Sequence, residues 1–142
     1  MTDNTNNPPM IGQALARIDG PRKVSGQAHY TADFHFDGLL YGMPVMATIS
    51  RGTLTGLDTA AARAMPGVRE VITHENVGPL YRLDPGGNGK ADEMRPPLSD
   101  TRISYYGQYI ALVVADTFEQ ATAAARAVRA TYQAEKPDVS MA

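Results

Sequence analysis

Few stretches of this chain combine side chains able to do chemistry. Gly86-Gly87-Asn88-Gly89-Lys90 is a glycine cluster ending in a lysine. Such a loop cradles phosphates when its backbone N–H groups converge and the lysine reaches the charge. Here Asp84 stands where that loop needs a glycine, and Ala91 stands where a Ser or Thr hydroxyl would ligate magnesium. The dinucleotide pattern fails too, because Asp92 takes the third glycine's place. These residues read as a surface loop.

His29, Asp33, His35 and Asp37 are close in sequence, and imidazole with carboxylate suits zinc or iron if a turn gathers them. His35 and Asp37 alternate with Phe34 and Phe36, which reads instead as a half-buried strand with a solvated polar face. Ser50-Arg51-Gly52 lacks the preceding glycine of a nucleophile elbow, and no histidine is placed to complete a triad. His74 is expected at a loop mouth. Tyr105-Tyr106 suits stacking on a ring or capping a partner surface, with packing at the core's edge as the other reading. The residues themselves yield no catalytic, cofactor-binding or metal-ligating constellation.

Composition narrows the classes further. With 142 residues the chain is long enough for one domain with a real core. Thirteen Lys and Arg against fifteen Asp and Glu leave a net charge of −2, and no basic stripe suggests nucleic-acid binding. There is no cysteine, so disulfides, thiolate metal sites and a thiol nucleophile are excluded. The polar start, Met1 to Pro9, lacks the apolar run of a secretion signal, and no stretch nears the roughly 20 apolar residues of a membrane span. A soluble cytoplasmic protein is expected, or a periplasmic one if it is exported with a partner.

The elements that would position these residues are read as follows. Residues 1–14 read as a disordered leader with almost nothing to bury. From 15 to 37 the chain is broken by Gly20-Pro21 and Gly26, with a short extended piece around 27–30. Residues 41–49 read as a strand that Pro44 confines to an edge or a bulge. A helix is expected over 57–65, capped by Thr55 or Asp58 and stopped by Pro66-Gly67, and then a strand over 68–73. The aperiodic stretch 78–97 is long enough for a functional or mobile loop. A short extended piece at 103–106 precedes the apolar run Tyr109 to Ala115, which reads as a strand covered on both faces. Thr117-Phe118-Glu119-Gln120 is a capping box, and Phe118, Ala121, Ala125 and Val128 are the expected buried stripe, with Ala125 against the sheet. A last strand follows from Arg129, and 136–142 reads as a tail.

Three stretches in this order resemble the hammerhead domain of the xanthine dehydrogenase and aldehyde oxidase family. The first runs from Arg17-Ile18-Asp19-Gly20 through Lys23-Val24-Ser25-Gly26 to Ala28-His29-Tyr30-Thr31-Ala32-Asp33, with Ser25 where the family more often has Thr. The second spans 39–73, including Ser50-Arg51-Gly52 and Pro66-Gly67-Val68. The third is Ile103 to Ala115, with its alanine-rich helix and Tyr132.

The resemblance implies an α+β fold, a/b hammerhead-like, with two β-α-β units, a mixed sheet and two main helices across residues 15–135. It implies an N-terminal accessory domain of a molybdopterin-dependent hydroxylase. The molybdenum–pterin cofactor and the general base of such an enzyme lie in later domains, and iron–sulfur and flavin subunits are its partners. No catalytic or cofactor residue carries over, and the chain alone is expected to be inactive. The candidate docking residues toward the rest of the subunit are Tyr81, Leu83 and Met94 in the long loop, and Tyr105, Tyr106, Gly107 and Gln108 in the turn. If these are exposed, the isolated chain is expected to self-associate. The alternatives are a free-standing interaction or ligand-binding module using 78–97 and, behind it, a small independent enzyme.

Overall fold

The computed structural model describes residues 12, 14–80 and 96–137. Most of the leader, the Gly86 to Lys90 cluster, Tyr81, Leu83 and Met94, and the end of the tail lie outside the described residues. The chain divides into two compact units between Asp37 and Gly38.

In the first unit Gly20-Pro21 does not break the chain. It opens a one-turn helix, α1 (Gly20–Val24), because proline's fixed φ suits a first helical turn. The Arg22 carbonyl accepts from the N–H groups of Gln27 and Ala28 at 2.8 and 3.0 Å, and Gly26 turns the chain at φ +72°. A 3-10 turn over Thr31–Asp33 follows, in which the Asp33 carboxylate accepts the Tyr30 N–H at 2.8 Å. Residues 27–30 form no strand. Nor do 34–37, whose side chains are all exposed, so the half-buried strand expected there is absent. The alternation of Phe34 and Phe36 has no neighbouring strand among the described residues to pair with.

The second unit holds β1 (Tyr41–Met46), β2 (Gly52–Asp58), α2 (Ala60–Arg63), β3 (Val68–Thr73), β4 (Arg102–Ile103), β5 (Tyr109–Ala115), α3 (Phe118–Ala127) and β6 (Arg129–Ala134). Two three-stranded sheets form, ordered β1-β5-β3 and β4-β2-β6. Every pairing is antiparallel, so the α+β class stands but the sheets are not mixed. β1 is an edge strand with a register shift between Val45 and Met46, as its proline demands.

The helix expected at 57–65 is shorter than that, because Leu57 and Asp58 end the strand β2. Thr53-Leu54-Thr55 carries β-branched residues around a buried leucine, and this stretch pairs with β6 through to Asp58. Only a single turn remains as α2, with the Asp58 carboxylate accepting the Ala60 N–H at 3.0 Å. The extended piece expected at 103–106 is the two-residue strand β4, which pairs with the start of β2 and ends at Ile103.

The α3 capping box forms reciprocally. Thr117 Oγ1 accepts the Gln120 N–H and Gln120 Oε1 accepts the Thr117 N–H, both at 3.2 Å. Its buried face is Ala121, Ala124 and then Val128. Phe118 is exposed and Ala125 only partly buried, because these two lie seven residues apart on the flanking stripe. On β5, Ala111, Val113 and Ala115 are fully buried while Leu112 and Val114 are not, so one face of this strand is covered less than expected. Small residues let helix and sheet approach closely in one core cluster (Ala62, Val71, Val113, Ala124, Val128). A second cluster gathers Ala47, Leu54, Ile103 and Ile110.

Candidate functional site

The turn between β4 and β5 is built from Ser104 to Gln108. Gly107 adopts φ +86°, a conformation glycine takes without strain, and its N–H donates to the Ala47 carbonyl at 3.0 Å. Ala47 in turn donates to the Gln108 carbonyl at 2.8 Å. The Gln108 side chain folds inward. Its Oε1 accepts the Ser104 N–H at 2.8 Å and its Nε2 donates to the Arg102 carbonyl at 2.6 Å. Gln108 therefore clamps the turn from inside. With the turn held from inside, Tyr105 and Tyr106 stand out at 55% and 71% exposure.

Tyr109, next along, reaches a recess that sequence reasoning missed. Pro44, Pro97, Leu98, Tyr109, Ala111 and Leu112 enclose about 330 Å³. Pro44 and Leu112 are register partners across β1 and β5, which places them on one face. Leu98 holds φ +62°, unusual for a leucine, and this brings Pro97 and Leu98 to the rim. The available signal was Pro96-Pro97-Leu98 at the end of the loop, together with a proline in the edge strand.

The other candidates do not assemble. His35 Nδ1 lies 3.0 Å from the Asp33 carbonyl, the Asp33 carboxylate is occupied by Tyr30, and His29 packs its ring against Phe34 at 6.2 Å. Among the described residues no three His, Cys, Asp or Glu side chains gather as a metal site. Arg51, beside Ser50, bonds Glu135 at 3.2 Å. Gly52 holds φ +146°, where an added Cβ would run into the Gln133 carbonyl. That glycine is there for the sheet, not for a nucleophile. His74 is half-buried after β3, and its Nδ1 has no hydrogen-bond partner among the described residues.

Charged groups elsewhere serve the fold. Arg63 bonds Glu70 at 2.9 Å and the Val71 carbonyl at 2.6 Å, tying α2 to β3. Hydrogen bonds from Arg63 and from the Val71 N–H hold the Glu70 carboxyl below its ordinary range. Arg69 grips Asp116 with two bonds of 2.6 and 2.9 Å. No helix among the described residues is long and apolar enough to cross a membrane.

What remains is a small domain with exposed aromatics and an apolar recess. Comparison with known proteins gives this arrangement its context. Residues 25–136 match the aldehyde oxidase and xanthine dehydrogenase, a/b hammerhead domain. The aldehyde oxidoreductase molybdenum-binding subunit of Escherichia coli K12 is 44% identical over 135 residues, which is 94% of this chain but 18% of that protein. A probable xanthine dehydrogenase subunit of Bacillus subtilis is 34% identical over 117 residues, 82% of this chain and 15% of its own length. The solved aldehyde oxidoreductase of Desulfovibrio gigas superposes with a TM-score of 0.71 at 35% identity, over 84% of this chain and 14% of that one. The chain thus spans less than a fifth of these relatives. It belongs to the aldehyde oxidase and xanthine dehydrogenase family and carries that family's a/b hammerhead domain.

Proposed function

We propose that this chain is an N-terminal accessory domain of a molybdopterin-dependent aldehyde or xanthine-type hydroxylase and does no chemistry by itself. The observation that carries the reading is the family match over most of the chain, set against relatives more than five times as long. In that reading the cofactor, the general base and the electron path to iron–sulfur and flavin partners lie in the remainder of the enzyme. The domain supplies a packed surface to it. Tyr105 and Tyr106 are aromatic anchors of that surface, projected by the internal clamp of Gln108. Tyr81, Leu83 and Met94 are proposed to join them from the long loop.

An exposed aromatic pair shaped for burial promotes self-association when its partner is missing. Sedimentation of the purified chain over a wide concentration range is expected to show a concentration-dependent dimer that Tyr106→Ser weakens. Elemental analysis of the same sample is expected to show no stoichiometric molybdenum or iron, and its spectrum no flavin band. Stoichiometric molybdenum, or turnover of an aldehyde with a dye acceptor, would sink the reading of an accessory domain.

A further inference from the structure

The segment 15–37 is ordered but has no interior. Its backbone is fixed by local bonds: Lys23 and Ser25 donate to the Asp19 and Pro21 carbonyls, Gln27 and Ala28 to Arg22, and Asp33 and Tyr30 close on each other. None of its side chains is buried. Instead Leu15, Ile18, Val24, Tyr30, Phe34 and Phe36 are each more than half exposed, with Ile18 at 103% and Val24 at 90%. Single exposed apolar residues are ordinary on a protein surface, but six in so short a stretch, with nothing buried beneath them, form a surface made to be covered.

We propose that 15–37 is a docking arm whose apolar side chains pack onto the remaining polypeptide of the same molybdenum subunit. The inference rests on the reading of the chain as one domain of that subunit. Two observations select this occupant. The alignment to the Escherichia coli molybdenum-binding subunit covers 94% of this chain, too much to omit the arm, and more than four-fifths of that protein lies outside the match. The arm also carries Arg17, Arg22 and Lys23 against Asp19, Asp33 and Asp37, so it has no formal net charge to draw it to an acidic lipid surface. Pre-formed turns hold the side chains in place before contact, which spares ordering entropy on docking. The arm is a surface separate in sequence from the Tyr105-Tyr106 turn.

The test uses the full 142-residue chain and, as probe, the Escherichia coli molybdenum-binding subunit with its matching stretch deleted. Titration of the wild-type chain is expected to give a one-to-one complex. The double variant Ile18→Ser, Phe36→Ser is expected to weaken it roughly tenfold or more, since truncated apolar anchors at an interface each carry measurable affinity. Both side chains are exposed, so the variant keeps the wild-type melting temperature and the loss is read as docking, not unfolding. Undiminished binding by this variant, with weakened binding by Tyr105→Ser, Tyr106→Ser, overturns the arm and leaves the domain reading intact. If the wild-type chain does not bind at all, the domain reading fails and takes the arm with it. An arm variant that abolishes a dimer of this chain and leaves probe binding unchanged assigns the surface to a second copy and overturns the proposal.

Discussion

Val113 and Val24 are the same side chain in opposite circumstances. Val113 sits in the middle of β5 with no exposed surface, against Val71, Ala62 and Ala124, while Val24 ends α1 almost wholly in solvent. The surroundings of each follow the same division. Around β5, order comes from side chains that exclude water, with ladders running to β1 on one side and β3 on the other. In 15–37, order comes from backbone bonds between residues three to six apart, which fix shape without burying anything. One region is held by burial. The other has its geometry set by local bonds alone, which is what the proposed docking arm requires.

The comparison predicts where substitutions hurt. Gly52 begins β2 with φ +146°, where an added Cβ would meet the Gln133 carbonyl of β6. Gly52→Ala adds strained backbone and a clash with main chain that cannot turn aside, and should cost about 3 kcal/mol or more. The glycines at Gly26 and Gly38 have positive φ but open space around them, so the large penalty belongs to the packed region. Next comes Val113→Ala, which removes two buried methyl groups and leaves a cavity, for about 2 kcal/mol. Both are read from denaturant midpoints. A Val113→Ala midpoint equal to wild type would mean that the β5 core is not what holds the second unit together.

Sequence reasoning reaches the packed region more surely than the arm, and its errors there are instructive. The run Tyr109 to Ala115 and the Thr117–Gln120 box are local signals with one physical solution each, and both form. Around Leu57 the helical reading fails because Leu57, Ala61 and Ala64 satisfy helical spacing while Leu57 itself lies in a strand. What decides it is pairing with β6, more than seventy residues away in sequence, and no local pattern reports that. The buried stripe of α3 shifts by one position for a related reason. In an alanine-rich helix Ala124 and Ala125 are chemically alike, and only the sheet determines which one faces it. At the site, the exposure of Tyr105 and Tyr106 fits a docking role proposed from their type. The amide of Gln108 also bonds two backbone groups of its own turn, which its type alone does not report. The recess at Pro44 and Leu112 depends on strand register, which single residues do not display.

The smallest effect is the one that separates the two regions most cleanly. Val24→Ala makes the same chemical change as Val113→Ala, but in the arm the two methyl groups are in solvent before and after. No cavity forms and no apolar burial is lost. Within α1 the change replaces a β-branched residue with a better helix former, worth a few tenths of a kcal/mol in the opposite direction. The backbone bonds around it, from Ser25 to Pro21 and from Gln27 to Arg22, do not involve its side chain. The midpoint of Val24→Ala should therefore fall within about 0.5 kcal/mol of wild type. A loss approaching that of Val113→Ala would show that Val24 is buried in the folded chain. The arm would then be part of the domain's own core, and its apolar side chains would have no partner left to seek.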